Sequence, residues 1–193
     1  LPDAHLEASI ENRNRVIREI RAFRPDLVLT HRSCDYHPDH RAVGQLTQDA
    51  SYLVTVPKVL PEVPPLFDDP VILYMPDLFT RPSPLRPDLV LDVGEQLDSI
   101  VDMLACHRTQ IFEWLPHEEG ILDQVPEDED AKLDWLRGWF HDQVAKRTDH
   151  FRDALVATYG EERGQAVTFC EAYEVSEYAS PMDDEKRAKL WPF

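Results

Sequence analysis

The polar run Asp35-Tyr36-His37-Pro38-Asp39-His40 lies just beyond the apolar run Leu27-Val28-Leu29-Thr30, where a short buried strand should give way to a helix. Upstream, Leu6 to Phe23 reads as an amphipathic helix with Leu6, Ile10, Ile17 and Ile20 on one face and Glu, Asn and Arg on the other. Pro25 ends it, because the residue before a proline is pushed out of the α region. From His40 a second helix carries Ala42, Val43, Leu46 and Ala50 inward, to about Leu53. Helix, buried strand, polar loop and helix in this order leave little besides an α/β layer fold. The carboxyl ends of strands in open α/β sheets are where ligands gather, because the loops there converge on one crevice. Two imidazoles and two carboxylates at that place read as a metal site or a catalytic pair.

The rest of the chain repeats the alternation. Val56 to Pro70 holds five prolines and reads as a loop interleaved with apolar residues. Val71 to Met75 and Leu89 to Leu91 read as buried strands, with Asp92 placed to cap the following helix. That helix puts Leu97, Ile100, Val101, Leu104, His107 and Ile111 on one stripe, which makes His107 a packed core histidine on pattern alone. Pro116 to Asp130 reads as an acidic solvated loop whose end complements the dipole of the next helix. In that next helix Leu133, Leu136, Phe140, Val144, Arg147, Phe151 and Leu155 recur at helical spacing as far as a Tyr159-Gly160 cap. Ala172 to Tyr178 alternates weakly, as a last strand would, and the apolar end Leu190-Trp191-Pro192-Phe193 should dock on the domain or on a neighbouring subunit. The expectation is one α/β domain over 1–193 with a tail from 179. Its sheet is Rossmann-like and mostly parallel with helices on both faces, and it lacks the N-terminal strands of such a domain.

Charge and cysteine narrow the functions. With 20 Lys plus Arg against 37 Asp plus Glu, the net charge of −17 repels a polyanion, so nucleic acid is a poor partner. There is no run of 18 apolar residues and hence no membrane span. Cys34, Cys106 and Cys170 are odd in number and scattered without a CxxC pair, which argues for a reducing, cytoplasmic setting and against a Cys-rich zinc site. Six glycines form no phosphate-binding loop, so a nucleotide-binding domain is unsupported.

Imidazole is the commonest metal ligand among side chains, and zinc takes nitrogen at about 2.0–2.1 Å. If His40 opens a helix while His37 stays in the loop, the two need not share a metal. One can ligate while the other acts as an acid or electrostatic group, and Asp39 can accept from an imidazole and fix its tautomer. The bland readings are two histidines in an idle polar loop and Asp39 as a helix cap. Tyr36 either bonds substrate or packs on its own strand. His31 borders the cleft or turns outward. Cys34 has nothing beside it to make it a nucleophile. His117, His141 and His150 read as surface residues, and Trp135 and Trp139 as packing.

The stretch from Arg24 through His31, continued in Asp35-Tyr36-His37-Pro38-Asp39-His40-Arg41-Ala42-Val43-Gly44, closely resembles the second signature of the PIG-L/LmbE-like N-deacetylases. The likeness continues in Met103 to Gln110 and in Glu171 to Tyr178. Such enzymes use zinc to remove acetyl groups from N-acetylglucosamine-type sugars. Carried over by position, the resemblance implies His40 as the third metal ligand. It implies a protonated His37 that steadies the oxyanion and supports amine departure, Asp39 holding His37, and His107 facing the pocket near the sugar. Zn²⁺ is the implied cofactor, although a His/Asp set also accepts Fe²⁺ or Co²⁺. The implied partner is a small amino-sugar amide, with a homo-oligomer as a further expectation. The family's first signature, a His-Pro-Asp-Asp run that supplies two ligands and the general base, does not occur in this sequence. The resemblance therefore covers the later two-thirds of the family's domain and implies ligands upstream of Leu1. The alternative is a non-catalytic binding relative that keeps the fold.

Overall fold

The structure, a computed structural model, describes residues 1–193 apart from the side chains of Val144 and Ala145. Its contacts divide the chain into two compact units, Leu1–Leu89 with Ala172–Phe193, and Val90–Glu171.

The first unit holds α1 (Ile10–Phe23), β1 (Leu27–Thr30), α2 (Pro38–Ser51), β2 (Val71–Tyr74), most of β4 (Cys170–Val175) and α8 (Asp184–Leu190). Helix α1 begins four residues later than its apolar pattern suggests. Ser9 caps it by accepting from the Asn12 amide, and Ile10 is 69% exposed while Ile17 and Ile20 are buried. Arg24, at φ +56°, ends the helix with its N–H on the Ile20 carbonyl, displaced from the right-handed region by Pro25 as expected. Strand β1 pairs parallel to β2 in the register Leu27↔Val71 to Thr30↔Tyr74. Strand β4 then pairs antiparallel to β2 through Leu73↔Val175 and Tyr74↔Glu174, giving a four-stranded mixed sheet in the order β1-β2-β4-β3, with β3 at Leu89–Asp92. Alternation locates the last strand but carries no information on its direction.

The sheet is covered on both faces. Val71, Ile72 and Leu73 are all buried although they alternate sides. On one side the hydroxyl of Thr30 meets that of Thr47 from α2 at 3.3 Å. On the other, Leu190 and Trp191 pack with Leu27, Val71, Leu73 and Leu89, and the Trp191 ring stands edge-on to Tyr173 at 5.3 Å. The apolar C-terminal end thus docks on its own unit.

The second unit holds α3 (Leu97–Ala105), α4 (Leu115–Glu118), α5 (Glu129–His150), α6 (Arg152–Tyr159) and α7 (Glu161–Ala166). Val101, Ile111, Phe112 and Leu136 form its core. Asp92 caps the turn Gly94–Gln96 by accepting from the Gly94 amide, and Asp128 caps α5 through Ala131. Two expectations fail here. The long helix breaks at Phe151, whose N–H turns back to the Arg147 and Thr148 carbonyls; Val144, on its expected stripe, lies outside the described side chains. His107 is not a core residue. Helix α3 stops at Ala105, the chain leaves helical phase, and the imidazole is exposed.

One hydroxyl in the first unit faces two acceptors. Ser51 Oγ lies 2.5 Å from Asp69 Oδ2 and 2.7 Å from the Tyr178 carbonyl. A hydroxyl has one proton to give, so the Asp69 carboxyl and the Tyr178 carbonyl share it and the buried carboxyl is only partly compensated. Burial pushes the Asp69 carboxyl above its ordinary value, against the Ser51 hydrogen bond and Lys186. Its other oxygen, buried without a partner, is cheaper as a neutral carbonyl than as a carboxylate. A group with a raised folded pKa stabilises the fold while protonated, and that stability is lost as pH rises through the folded value. Asp69→Asn mimics the protonated acid. In urea titrations across pH, the variant should match the wild type in acid and exceed it above the Asp69 titration; parallel curves would contradict the assignment.

Candidate metal and catalytic loop

Helix α2 comes unusually close to the exit of β1. A Cβ at Gly44 would lie 2.6 Å from the His31 carbonyl oxygen and 2.9 Å from the Arg32 carbonyl. Pro38 at the first helical position suits its fixed φ, and His37 is the N-cap residue, its Nδ1 accepting from the Asp39 amide at 3.3 Å. The helix therefore starts two residues before the pattern suggests, and His37, rather than Asp39, is the cap.

Asp35 is the hub of the loop. Its side chain is only 8% exposed. Oδ1 accepts from the His37 amide at 2.9 Å and lies 3.1 Å from His40 Nδ1, while Oδ2 stands 4.0 Å from His31 Nδ1. Arg41 reaches back to the carbonyls of Asp35 and Tyr36. The rings of His31 and His40 stack at 3.9 Å with planes 3° apart, and His37 lies 4.8 Å from His40. Burial, followed by the neighbouring His40, holds His31 below the ordinary imidazole value.

The residues singled out in the sequence divide as follows. His37 and His40 share one cluster. Tyr36 is 71% exposed and stands edge-on to both rings at 5.8 and 5.6 Å, so it is not packed on its own strand. Asp39 meets the His37 ring through its amide and not through its carboxylate, which accepts from the amides of Ala4 and Leu6 and ties the N-terminal segment to α2. His37 Nε2 lies 4.0 Å from Asp3 instead. His107 belongs to the second unit. Trp135 and Trp139 stack on each other and pack against that unit's core, as expected.

Sequence pattern does not single out His31 and Asp35 as members of the cluster, and the signal for them is thin. Asp35 is visible only as one more carboxylate in the run, and the side on which His31 lands depends on how the loop turns back. Arg32 gives no signal at all. It is buried, forks onto Asp77 at 2.6 and 2.7 Å, and donates to the carbonyls of Phe79 and Ser83. Asp77 holds its guanidinium above the ordinary value. The residue next to His31 thereby fixes the loop whose Phe79 ring faces Tyr36 at 6.3 Å.

His31, Asp35 and His40 each offer a donor atom within 4.8 Å of the others. Nitrogen and carboxylate donors suit Zn²⁺, Fe²⁺ or Co²⁺. Among the described residues nothing bonds His40 Nε2, and the ring is neither fully solvated nor packed among aliphatic groups. The cluster fits a divalent cation held by His40.

Residues 1–51, which end with α2, match the profile of the PIG-L family, GlcNAc-PI de-N-acetylase. Over these residues the chain is similar to the PIG-L family. Solved structures show a likeness of fold over nearly the whole chain. The conserved protein TT1542 from Thermus thermophilus is 18% identical with a TM-score of 0.56, covering 94% of this chain and 65% of its own. GalB, the 4-carboxy-2-hydroxymuconate hydratase from Pseudomonas putida KT2440, is 16% identical with a TM-score of 0.61, covering 93% and 63%. N,N'-diacetylchitobiose deacetylase from Pyrococcus horikoshii is 18% identical with a TM-score of 0.55, covering 92% and 55%. The chain thus spans less than two thirds of the length of each neighbour. At these identities the likeness establishes the fold, and the matched family segment is the one that carries the His-Pro-Asp-His loop.

Proposed function

We propose that this chain contributes His40, His37 and their supporting loop to the active site of a metal-dependent hydrolase that removes an acetyl group from an N-acetylated amino sugar or its conjugate. The observation that carries the reading is the His-Pro-Asp-His loop at the exit of a parallel strand, inside the segment that matches a de-N-acetylase family. The neighbouring folds include a deacetylase and a hydratase, so the fold does not select the reaction; the loop and the family match favour the amide.

His40 would hold the cation through Nε2, the ring atom left without a partner. The chemistry such a cation would supply is Lewis-acid activation of water near neutral pH and polarisation of the amide carbonyl. His37 has a separate role. Its Nδ1 accepts the cap hydrogen bond, so the proton of the neutral ring sits on Nε2, where it can be given to a developing oxyanion or a departing amine. A donor aimed at that oxygen is worth about 3 kcal/mol. Tyr36, exposed beside both rings, would meet the substrate in this reading. None of the described helices is long and apolar enough to cross a membrane. The unpaired Cys34, Cys106 and Cys170 suit a reducing compartment, which favours the cytoplasm as the setting of the reaction.

The test is acetate release from a panel of amino-sugar amides by the zinc-supplemented protein. The reading expects turnover of at least one N-acetylglucosamine-type substrate and none by His40→Ala. Equal acetate release by the variant, or release from no member of the panel, would contradict it.

A further inference from the structure

We infer that Asp35 and His31 are positioning residues for His40, Asp35 fixing which ring nitrogen carries the proton and His31 fixing the plane of the ring. The inference rests on the reading of His40 as a metal ligand. Three donor atoms in one cluster first suggest that His31, Asp35 and His40 bind a single ion together. The rings rule that out as they stand. A cation bound to an imidazole nitrogen lies close to the plane of that ring. The planes of His31 and His40 are parallel to within 3°, and stacked rings stay about 3.5 Å apart. An ion in the plane of one ring is therefore well out of the plane of the other, off the axis of its lone pair.

With His31 and His40 unable to share an ion, the 3.1 Å approach of His40 Nδ1 to Asp35 Oδ1 reads as a hydrogen bond in which the ring donates. Asp35 is well placed to impose it. The carboxylate is nearly buried, and the amide of His37 pins the same oxygen at 2.9 Å. It can only accept, so the His40 proton is drawn to Nδ1 and the lone pair is left on Nε2. This is the arrangement in which a metal-bound imidazole donates its other N–H to a carboxylate. His31 covers one face of the ring at 3.9 Å and Tyr36 meets it edge-on at 5.6 Å, so the direction of the Nε2 lone pair is set from three sides.

Nitrogen-15 correlation spectra of the imidazoles in the intact, metal-free chain, taken with the rings neutral, read the tautomer directly. His40 should be the Nδ1–H form, retained in Asp35→Asn, whose side-chain oxygen still accepts, and lost to the Nε2–H form in Asp35→Ala. A merely structural role for Asp35 would not move the proton between nitrogens of a folded protein. Added Zn²⁺ should then perturb His40 Nε2, and Asp35→Ala should weaken that binding about 10–100-fold. His40 in the Nε2–H form in the wild type, or Asp35→Ala leaving the Nδ1–H form in place, overturns the inference. A Nδ1–H tautomer with no response of His40 to Zn²⁺ upholds the hydrogen bond and removes only the metal reading of His40.

Discussion

Gly44→Ala is expected to destabilise the protein by about 3 kcal/mol and to separate the stacked histidines. The added Cβ would stand 2.6 Å from the His31 carbonyl oxygen and 2.9 Å from the carbonyl carbon and oxygen of Arg32. These are backbone atoms at the end of a paired strand, so no side chain can swing away, and α2 itself must retreat. His40 lies one turn earlier on the same face of α2. A helix pushed off residues 31–32 therefore carries His40 away from the ring it stacks on. Urea denaturation measures the first effect, and loss of proton–proton contacts between the two imidazoles measures the second. Gly138→Ala is the control with the opposite sign. Nothing lies within 4 Å of a Cβ at Gly138 in α5, so helix propensity alone should stabilise it by about 1 kcal/mol. If Gly44→Ala were as benign as that control, the close approach of α2 to the strand exit would not be what brings the site together.

Arg21→Met should cost about 4 kcal/mol, more than most core truncations in this unit. Arg21 is 2% exposed and donates to the carbonyls of Leu53, Val54, Val56, Val59, Leu60 and Val63 at 2.6–3.1 Å. No carboxylate forks onto it; burial lowers its pKa and Glu62 opposes that only through space. The guanidinium therefore acts as the internal template of the proline-rich loop, satisfying carbonyls that would otherwise be buried without donors. Methionine keeps the length and leaves those carbonyls unpaired. Lysine, with its donors at one point, should recover only part of the loss. Besides the shift in urea midpoint, amide exchange over residues 53–63 should quicken. A loss below about 1 kcal/mol would mean that the loop finds other donors.

How much of this is legible in the sequence follows from where each interaction partner sits along the chain. Strand β1 is found to the residue because a four-residue apolar run between Pro25 and a polar loop admits little else. The loop chemistry is visible because its groups lie within six residues. Arg21 is not: on periodicity it belongs to the polar face of α1, and only six carbonyls more than thirty residues away make it one of the most buried residues of that helix. Ile10 is the converse, an apolar residue on the expected inner face that the Ser9 cap leaves in solvent. His107 keeps its place on a stripe only until the helix that defines the stripe stops. Asp39 changes partner for a similar reason. A carboxylate two residues from an imidazole looks like its support, yet the amides of Ala4 and Leu6 reach it first, from across the fold. The position of Asp35 beneath His40 depends on a turn closed by its own bond to the His37 amide, which spacing alone does not dictate.

The role proposed for the loop requires that the imidazole of residue 40 present its outer nitrogen to a divalent cation. Metal analysis of the intact wild-type protein and of His40→Ala, each saturated with Zn²⁺ and then dialysed under the same conditions, tests this most directly. Zinc should be retained by the wild type and lost from a variant that keeps its fold. Equal zinc in the two, or none in the wild type, would contradict it.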